Sequence, residues 1–372
     1  MKNVIALVDL HSSTELGPLT ENRPLASTTF LGRYTFIDFA LSNLTNSGID
    51  NIGVLIKDHS RSIIKHLGTE STYLKNPRIG WQSLFINEKG LLNPQFNTDI
   101  NNIRENDWFL YDKKAEYIVV VPVQFVMKLD FDELIEQHIK SNKEVSIVYR
   151  PSKHAHTRFQ GCDLVNVDIL GNVQKFETNT GKKEEANVSL EIYIFNKDYF
   201  RHIIETAHKV SSLYTLKDMV HELVNYQEKI NAIKFEGYCR YFGCLQDYKD
   251  FSFELLDKES YVHTLFNDDW VFYTTSHNSR PILYGLDADV KNSILANGCT
   301  IDGTVHHSVL ARNVVVEEGA KVENCIIFTD CVITSGTTLK NCIVDKHCKF
   351  TGKKKVEGKP DDPLYIPQGA II

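Results

Sequence analysis

The hydrophobic pattern changes character along the chain. Through about residue 285, short apolar runs alternate with stretches whose apolar residues recur at helical spacing. Val4–Val8, Asn51–Ile56 and Tyr117–Val123 are continuous apolar runs, which suit buried strands of a parallel sheet. Phe131–Lys140 and Tyr199–Lys209 carry the spacing of amphipathic helices. Alternating strands and helices predict a doubly wound α/β domain. Ligand chemistry then belongs beyond the carboxyl ends of the strands, in the Asp9–Leu25 loop and in the region after Val121.

Further on, the pattern becomes a repeat of 17 residues. Val309–Cys325, Ile326–Cys342 and a third segment from Ile343 align, each full segment dividing into blocks of six, six and five. The blocks begin at Val309, Val315 and Lys321, at Ile326, Val332 and Thr338, then at Ile343 and Lys349, and a slightly shorter turn starts at Ile294. Three short blocks per turn describe a three-sided coil of hexapeptide repeats, with about four turns expected. Cys325 and Cys342 are 17 apart, as are Cys331 and Cys348, so these thiols act as small apolar residues at inward corners. Thr351–Pro363 reads as a solvated loop before a terminal strand, Leu364–Ile372, and its lysines at 353–355 as a solvated face. The expected domains are 1–266 for the α/β part, a linker at 267–286, and 287–372 for the coil with its tail.

Composition narrows the function classes. The 372 residues suffice for two cores, and 42% hydrophobic with 24% charged residues is ordinary for a globular protein. A net charge of −7 argues against a broad basic face for nucleic acid. The eight cysteines form no CxxC pair, which argues against a structural zinc site, and disulfides are not expected in a reducing compartment. The start, Met1-Lys2-Asn3-Val4-Ile5-Ala6-Leu7-Val8, resembles a short signal peptide but breaks at Asp9 without a cleavage site, so a cytoplasmic location is expected. No apolar run approaches the ~20 residues of a membrane helix.

Three segments carry a resemblance. Leu16-Gly17-Pro18-Leu19-Thr20, Gly32-Arg33-Tyr34-Thr35-Phe36-Ile37-Asp38-Phe39-Ala40-Leu41-Ser42-Asn43 and Asn46-Ser47-Gly48-Ile49 resemble the N-terminal signature of ADP-glucose pyrophosphorylase (glucose-1-phosphate adenylyltransferase) in order and spacing. Lys128-Leu129-Asp130-Phe131, Ile192-Tyr193-Ile194-Phe195-Asn196, Gly237-Tyr238, Asp269-Trp270 and the coil extend the likeness over essentially the whole chain. The resemblance implies a nucleotidyltransferase-like (Rossmann-like) domain followed by a short left-handed parallel β-helix. It also implies an enzyme of glycogen biosynthesis that joins ATP and glucose 1-phosphate, with cations around the phosphates and a carboxylate-held metal.

The residues that chemistry requires are replaced. The family loop Gly-Gly-x-Gly-x-Arg-Leu reads Leu10-His11-Ser12-Ser13-Thr14-Glu15-Leu16, without glycine and with a carboxylate, Glu15, at the arginine position. Leu25 stands at the lysine of Arg-Ala-Lys-Pro, and Gln124 at the first metal aspartate. Asn179 stands at the lysine of Glu-Lys-Pro, and Tyr241 at the second metal aspartate. Mg²⁺ gains little from one neutral amide. No metal and no cofactor are therefore expected. Asn97-Thr98-Asp99-Ile100 stands near the family's adenine-contact segment, in an unfixed register.

A degenerate regulatory subunit is the expected function, activating or tuning a catalytic homologue within a hetero-oligomer, by family analogy a tetramer. Arg23, Arg33 and Arg280 are its candidate ligands for a sugar phosphate effector, or else solvated surface arginines. An active adenylyltransferase with surrogate ligands such as Asp9 or Asp99, requiring Mg²⁺, is the alternative. A hexapeptide-repeat acyltransferase using His306, His307 or His347 is a weaker one, since four short turns carry no long loop over the coil.

Overall fold

The computed structural model describes residues 3–68, 73 and 80–372. The chain forms two compact units that interleave in sequence. The first comprises residues 1–14, 39–243 and 270–273, and the second comprises 15–38, 244–269 and 274–372. The expected boundaries followed chain order. The units instead recruit two early or central segments, 15–38 and 244–269, to the C-terminal coil, and the reason is visible in what those segments bury.

The first unit is built on a nine-stranded sheet. Val4–Asp9 lies between Asn51–Ile56 and Tyr117–Pro122 and is parallel to both, and Trp81–Ile86 extends the parallel set. All six residues of Val4–Asp9 are buried, as the continuous apolar run requires. On the other side, Ala186–Asn196 runs antiparallel to Tyr117–Pro122 and to Val145–Ser152, so the sheet is mixed. Chain order reverses across Val4–Asp9, which opens a cleft at the carboxyl ends of Asp9 and Pro122. The predicted helices are present as Phe131–Ser141 and Lys197–Val210.

In the second unit the coil has three faces, each a five-stranded parallel sheet. Strands begin at the predicted positions Val309, Val315, Lys321, Ile326, Val332, Thr338 and Lys349. It is longer than the four turns expected. Leu283–Tyr284, inside the expected linker, pairs with Thr300–Ile301, and Lys355–Glu357, inside the expected loop, pairs with Thr338–Lys340. The terminal strand is shorter than expected, Leu364–Ile366. Charged residues masked these end strands, because an end turn has one solvated side and needs fewer apolar positions. Cys299, Cys325, Cys331, Cys342 and Cys348 are buried in the coil core, and all eight cysteines are free thiols.

Residues 15–38 and 244–269 pack on the coil within this unit. Arg23 pairs with Asp345 at 2.5 Å, both buried. Tyr248, fully buried, packs edge-on to Phe328 and donates to the Thr29 carbonyl at 2.6 Å. Gly32 has φ +74°, and a Cβ there would lie 2.8 Å from the Leu310 carbonyl oxygen. Only glycine allows the backbone so close. No helix among the described residues is long and apolar enough to cross a membrane.

Candidate functional site

The cleft at the strand ends is a cavity of about 170 Å³ in the first unit, lined by Asp9, His11, Ser12, Asp99, Glu191, Tyr193, Thr215 and Lys217 among others. The first strand delivers Asp9. The next residues, Leu10 to Glu15, hold no glycine and adopt no positive φ. Their backbone does not form the glycine cradle that triphosphate contact requires. The His11 side chain lines the cavity. It faces the Asn97 carbonyl through Nδ1 at 3.3 Å and the Asn102 amide through Nε2 at 3.1 Å. Burial outweighs the attraction of Asp9 and lowers the His11 pKa, favouring the neutral ring.

Glu191 reaches the cleft through a bulge. The pairing of Ala186–Asn196 with Val145–Ser152 shifts between Ser189 and Ile192, and Glu191 sits there at φ +53°. A non-glycine residue in that region costs about 1–2 kcal/mol. The cost places a buried carboxylate at the centre of a polar network. Glu191 accepts from Lys217 Nζ at 2.7 Å and from Gln124 Nε2 at 2.7 Å. Lys217 also meets Asp163 at 3.2 Å, and His221 meets Asp163 at 2.7 Å.

The electrostatics follow from burial and these partners. Burial raises the Glu191 pKa, with Lys217 opposing it. Burial alone would raise Asp163 too, but the His221 hydrogen bond and the Lys217 charge outweigh it and hold it below the usual carboxylate value. Lys217 is disfavoured by burial, yet Glu191 and Asp163 keep it above the ordinary ammonium range. Asp99 accepts from the Leu216 and Ile100 N–H groups at 3.0 and 2.7 Å. Burial first, and the charge of Asp9 second, push its carboxyl well above the usual range.

The sequence-predicted positions are scattered over both units. Gln124 is buried and spent on Glu191. Tyr241 is buried beside Phe125 and Phe159, with ring centroids at 5.2 and 6.0 Å. Asn179 donates to the carbonyls of Ala155 and Phe159, both at 2.9 Å, and accepts from the Gly181 N–H, so it braces a loop. In the second unit Glu15 is exposed and Leu25 is buried. Arg23 is committed to Asp345, whereas Arg33 and Arg280 are exposed, Arg280 donating to Thr300 at 2.7 Å. The coil histidines pair with carboxylates: His306 with Asp289 at 2.8 Å, His307 with Asp257 at 2.8 Å and His347 with Asp330 at 3.5 Å.

Glu191, Lys217, Asp163 and His221 were not found by sequence reasoning. They come from separate elements, and only the bulge at Glu191 unites them. Asp9 and Asp99, considered singly as surrogate ligands, are brought to one cavity.

The residues that the resemblance places at metal positions do not fit Mg²⁺. Gln124 offers one amide oxygen, buried and without a partner among the described residues, and Tyr241 offers an aromatic contact. Among the described residues no three His, Cys, Asp or Glu side chains converge as metal ligands.

Comparison with known proteins adds relatives. A nucleotidyl transferase family model matches residues 12–258, and a model of the GlmU-like C-terminal hexapeptide region matches residues 284–362. The chain is similar to a glucose-1-phosphate adenylyltransferase of Clostridium perfringens (strain 13 / Type A), 28% identical over 333 residues covering 88% of this chain and 83% of that protein. It is equally similar, at 28%, to the protein of that name from strain SM101 / Type A, over 88% of this chain and 84% of that one.

Proposed function

Because the chain belongs to the nucleotidyl transferase family, we propose that it is a non-catalytic or nearly inactive regulatory subunit of an ADP-glucose pyrophosphorylase, acting on a catalytic homologue in glycogen biosynthesis. One observation carries the reading: Gln124 at the first metal position is hydrogen-bonded into the closed Glu191–Lys217–Asp163 network. A closed network has no vacant charge for a phosphate or its metal. The nearby cation, Lys217, is already neutralised twice over, and a further carboxyl on the cavity wall, Asp9, repels a polyanion.

The rival reading is an active adenylyltransferase whose Asp9 and Asp99 replace the lost ligands. The geometry of Asp99 disfavours it, since both its oxygens already accept backbone N–H groups, from Ile100 at 2.7 Å and from Leu216 at 3.0 Å. Regulation is proposed to act through anionic effectors at arginines of the second unit. Arg33 and Arg280 are exposed, and the half-buried Arg312 is lowered by its burial and by the charge of Arg33. An anion there would relieve both effects.

The test is a coupled assay of pyrophosphate release from ATP, Mg²⁺ and glucose 1-phosphate. The chain alone should give none, and adding it to a purified catalytic homologue should raise activity or change its effector response. ADP-glucose formation by the chain alone, at a rate matching the homologue, would refute the proposal.

A further inference from the structure

The cleft cavity retains polar groups that the internal hydrogen bonds leave unused. Asp9 is 4% exposed; one oxygen accepts from the His11 N–H at 2.9 Å, and the other has no partner among the described residues. Tyr193 is 5% exposed, lines the same space, and its hydroxyl makes no hydrogen bond among the described residues. Ser12, half-buried on the same wall, likewise has a free hydroxyl among the described residues. These polar atoms open onto the cavity and leave it hydrogen-bonding capacity that an occupant can meet.

The charge balance selects the kind of occupant. Three carboxyl groups, Asp9, Asp99 and Glu191, line the cavity, and Asp163 lies behind Lys217, where it also pairs with His221. Against them stands Lys217, already bridging Glu191 and Asp163. The surplus is negative, in a space where an uncompensated carboxylate is expensive.

We propose that this cavity binds a small organic cation, an ammonium-bearing molecule no larger than a monosaccharide, with its amine on Asp9 and its hydroxyl groups on Tyr193 and Ser12. An ammonium suits the site better than a divalent metal, because its hydrogen bonds need no converging triad of ligands, and none is present among the described residues. The proposal rests on the reading above only in that phosphate is excluded from this cleft.

Three probes with the same ring separate the charge effect from shape: glucosamine, glucose and glucose 1-phosphate. Each is titrated calorimetrically into the full chain at about pH 6.5, where the amine is charged. Glucosamine is expected to bind about tenfold tighter than glucose, the difference between a charge-assisted and a neutral hydrogen bond. Glucose 1-phosphate should give no heat. Asp9→Asn should abolish the tenfold preference, and Tyr193→Phe should weaken glucosamine and glucose alike. Equal affinity for glucosamine and glucose overturns the proposal, as does an undiminished preference in Asp9→Asn or no glucosamine binding at about 10 mM. Adding ATP and Mg²⁺ to the same sample keeps the two claims apart. ADP-glucose formation would sink the regulatory reading whatever the amine preference, and a missing preference would sink the cation site whatever the activity.

Discussion

Replacing Lys217 with methionine keeps the length of the side chain and removes its charge. Glu191 and Asp163, with side chains 8% and 5% exposed, then lose the ammonium that joins them. Breaking a buried ion pair from one side costs about 3–5 kcal/mol. Here Lys217 is itself 30% exposed, Asp163 keeps His221 and Glu191 keeps Gln124, so roughly 2–3 kcal/mol is expected at neutral pH. The pH dependence gives the sharper check. Without Lys217 the Glu191 pKa, already raised by burial, rises further. A carboxyl whose folded pKa exceeds its unfolded value favours the folded state in its protonated form. The penalty is therefore largest at neutral pH and shrinks as pH falls through the raised pKa. Urea unfolding of both proteins at about pH 7.5 and about pH 5 measures this, and Glu191→Gln combined with Lys217→Met should recover part of the loss. A loss below about 0.5 kcal/mol at neutral pH, or one that is the same at both pH values, would refute the network as described.

Four further outcomes follow from other contacts. Gln124→Asp places a carboxylate beside Glu191 and should destabilise the first unit by about 1–3 kcal/mol at neutral pH, seen as a lower urea midpoint, without creating Mg²⁺ binding by calorimetry. Gly32→Ala should cost about 1–3 kcal/mol, because φ is +74° and the new methyl meets the Leu310 carbonyl; thermal unfolding would report it. Arg23→Ala leaves Asp345 buried without a cation, with the Tyr365 hydroxyl at 2.6 Å and the Lys346 N–H at 2.7 Å still donating to it, so a loss of about 3 kcal/mol is expected on urea unfolding. Thiol titration of the native protein should find Cys244 modified first and the other seven only on unfolding, since Cys244 is the exposed one of the eight.

Much of the architecture was legible because it is periodic. The 17-residue repeat placed strand starts to the residue over the central turns, and stacked cysteines marked the register. The first strand and the cleft beside it followed from one apolar run ending at Asp9. The end strands Leu283–Tyr284 and Lys355–Glu357 escaped because solvated turns relax the apolar pattern. The resemblance drew attention to Gln124 and Tyr241, but it did not point to the residues that line the cavity. Glu191 lies mid-strand, where a carboxylate reads as pointing to solvent; the bulge that turns it inward depends on pairing with Val145–Ser152. Lys217 looks like an ordinary surface lysine near a helix start until Asp163 and Glu191 are placed beside it. Arg23 read as a phosphate ligand or a solvated surface arginine because its partner, Asp345, lies 322 residues away.

That last separation bears on how the protein is made. The segment 15–38, which holds the buried Arg23, leaves the ribosome 322 residues before its coil partner Asp345. At about 5–20 residues per second, Arg23 waits on the order of 15–65 s for Asp345 to be synthesised. For that interval the segment lacks its coil partner, which makes it a natural place for a chaperone to hold the nascent chain and for aggregation to begin when synthesis stalls.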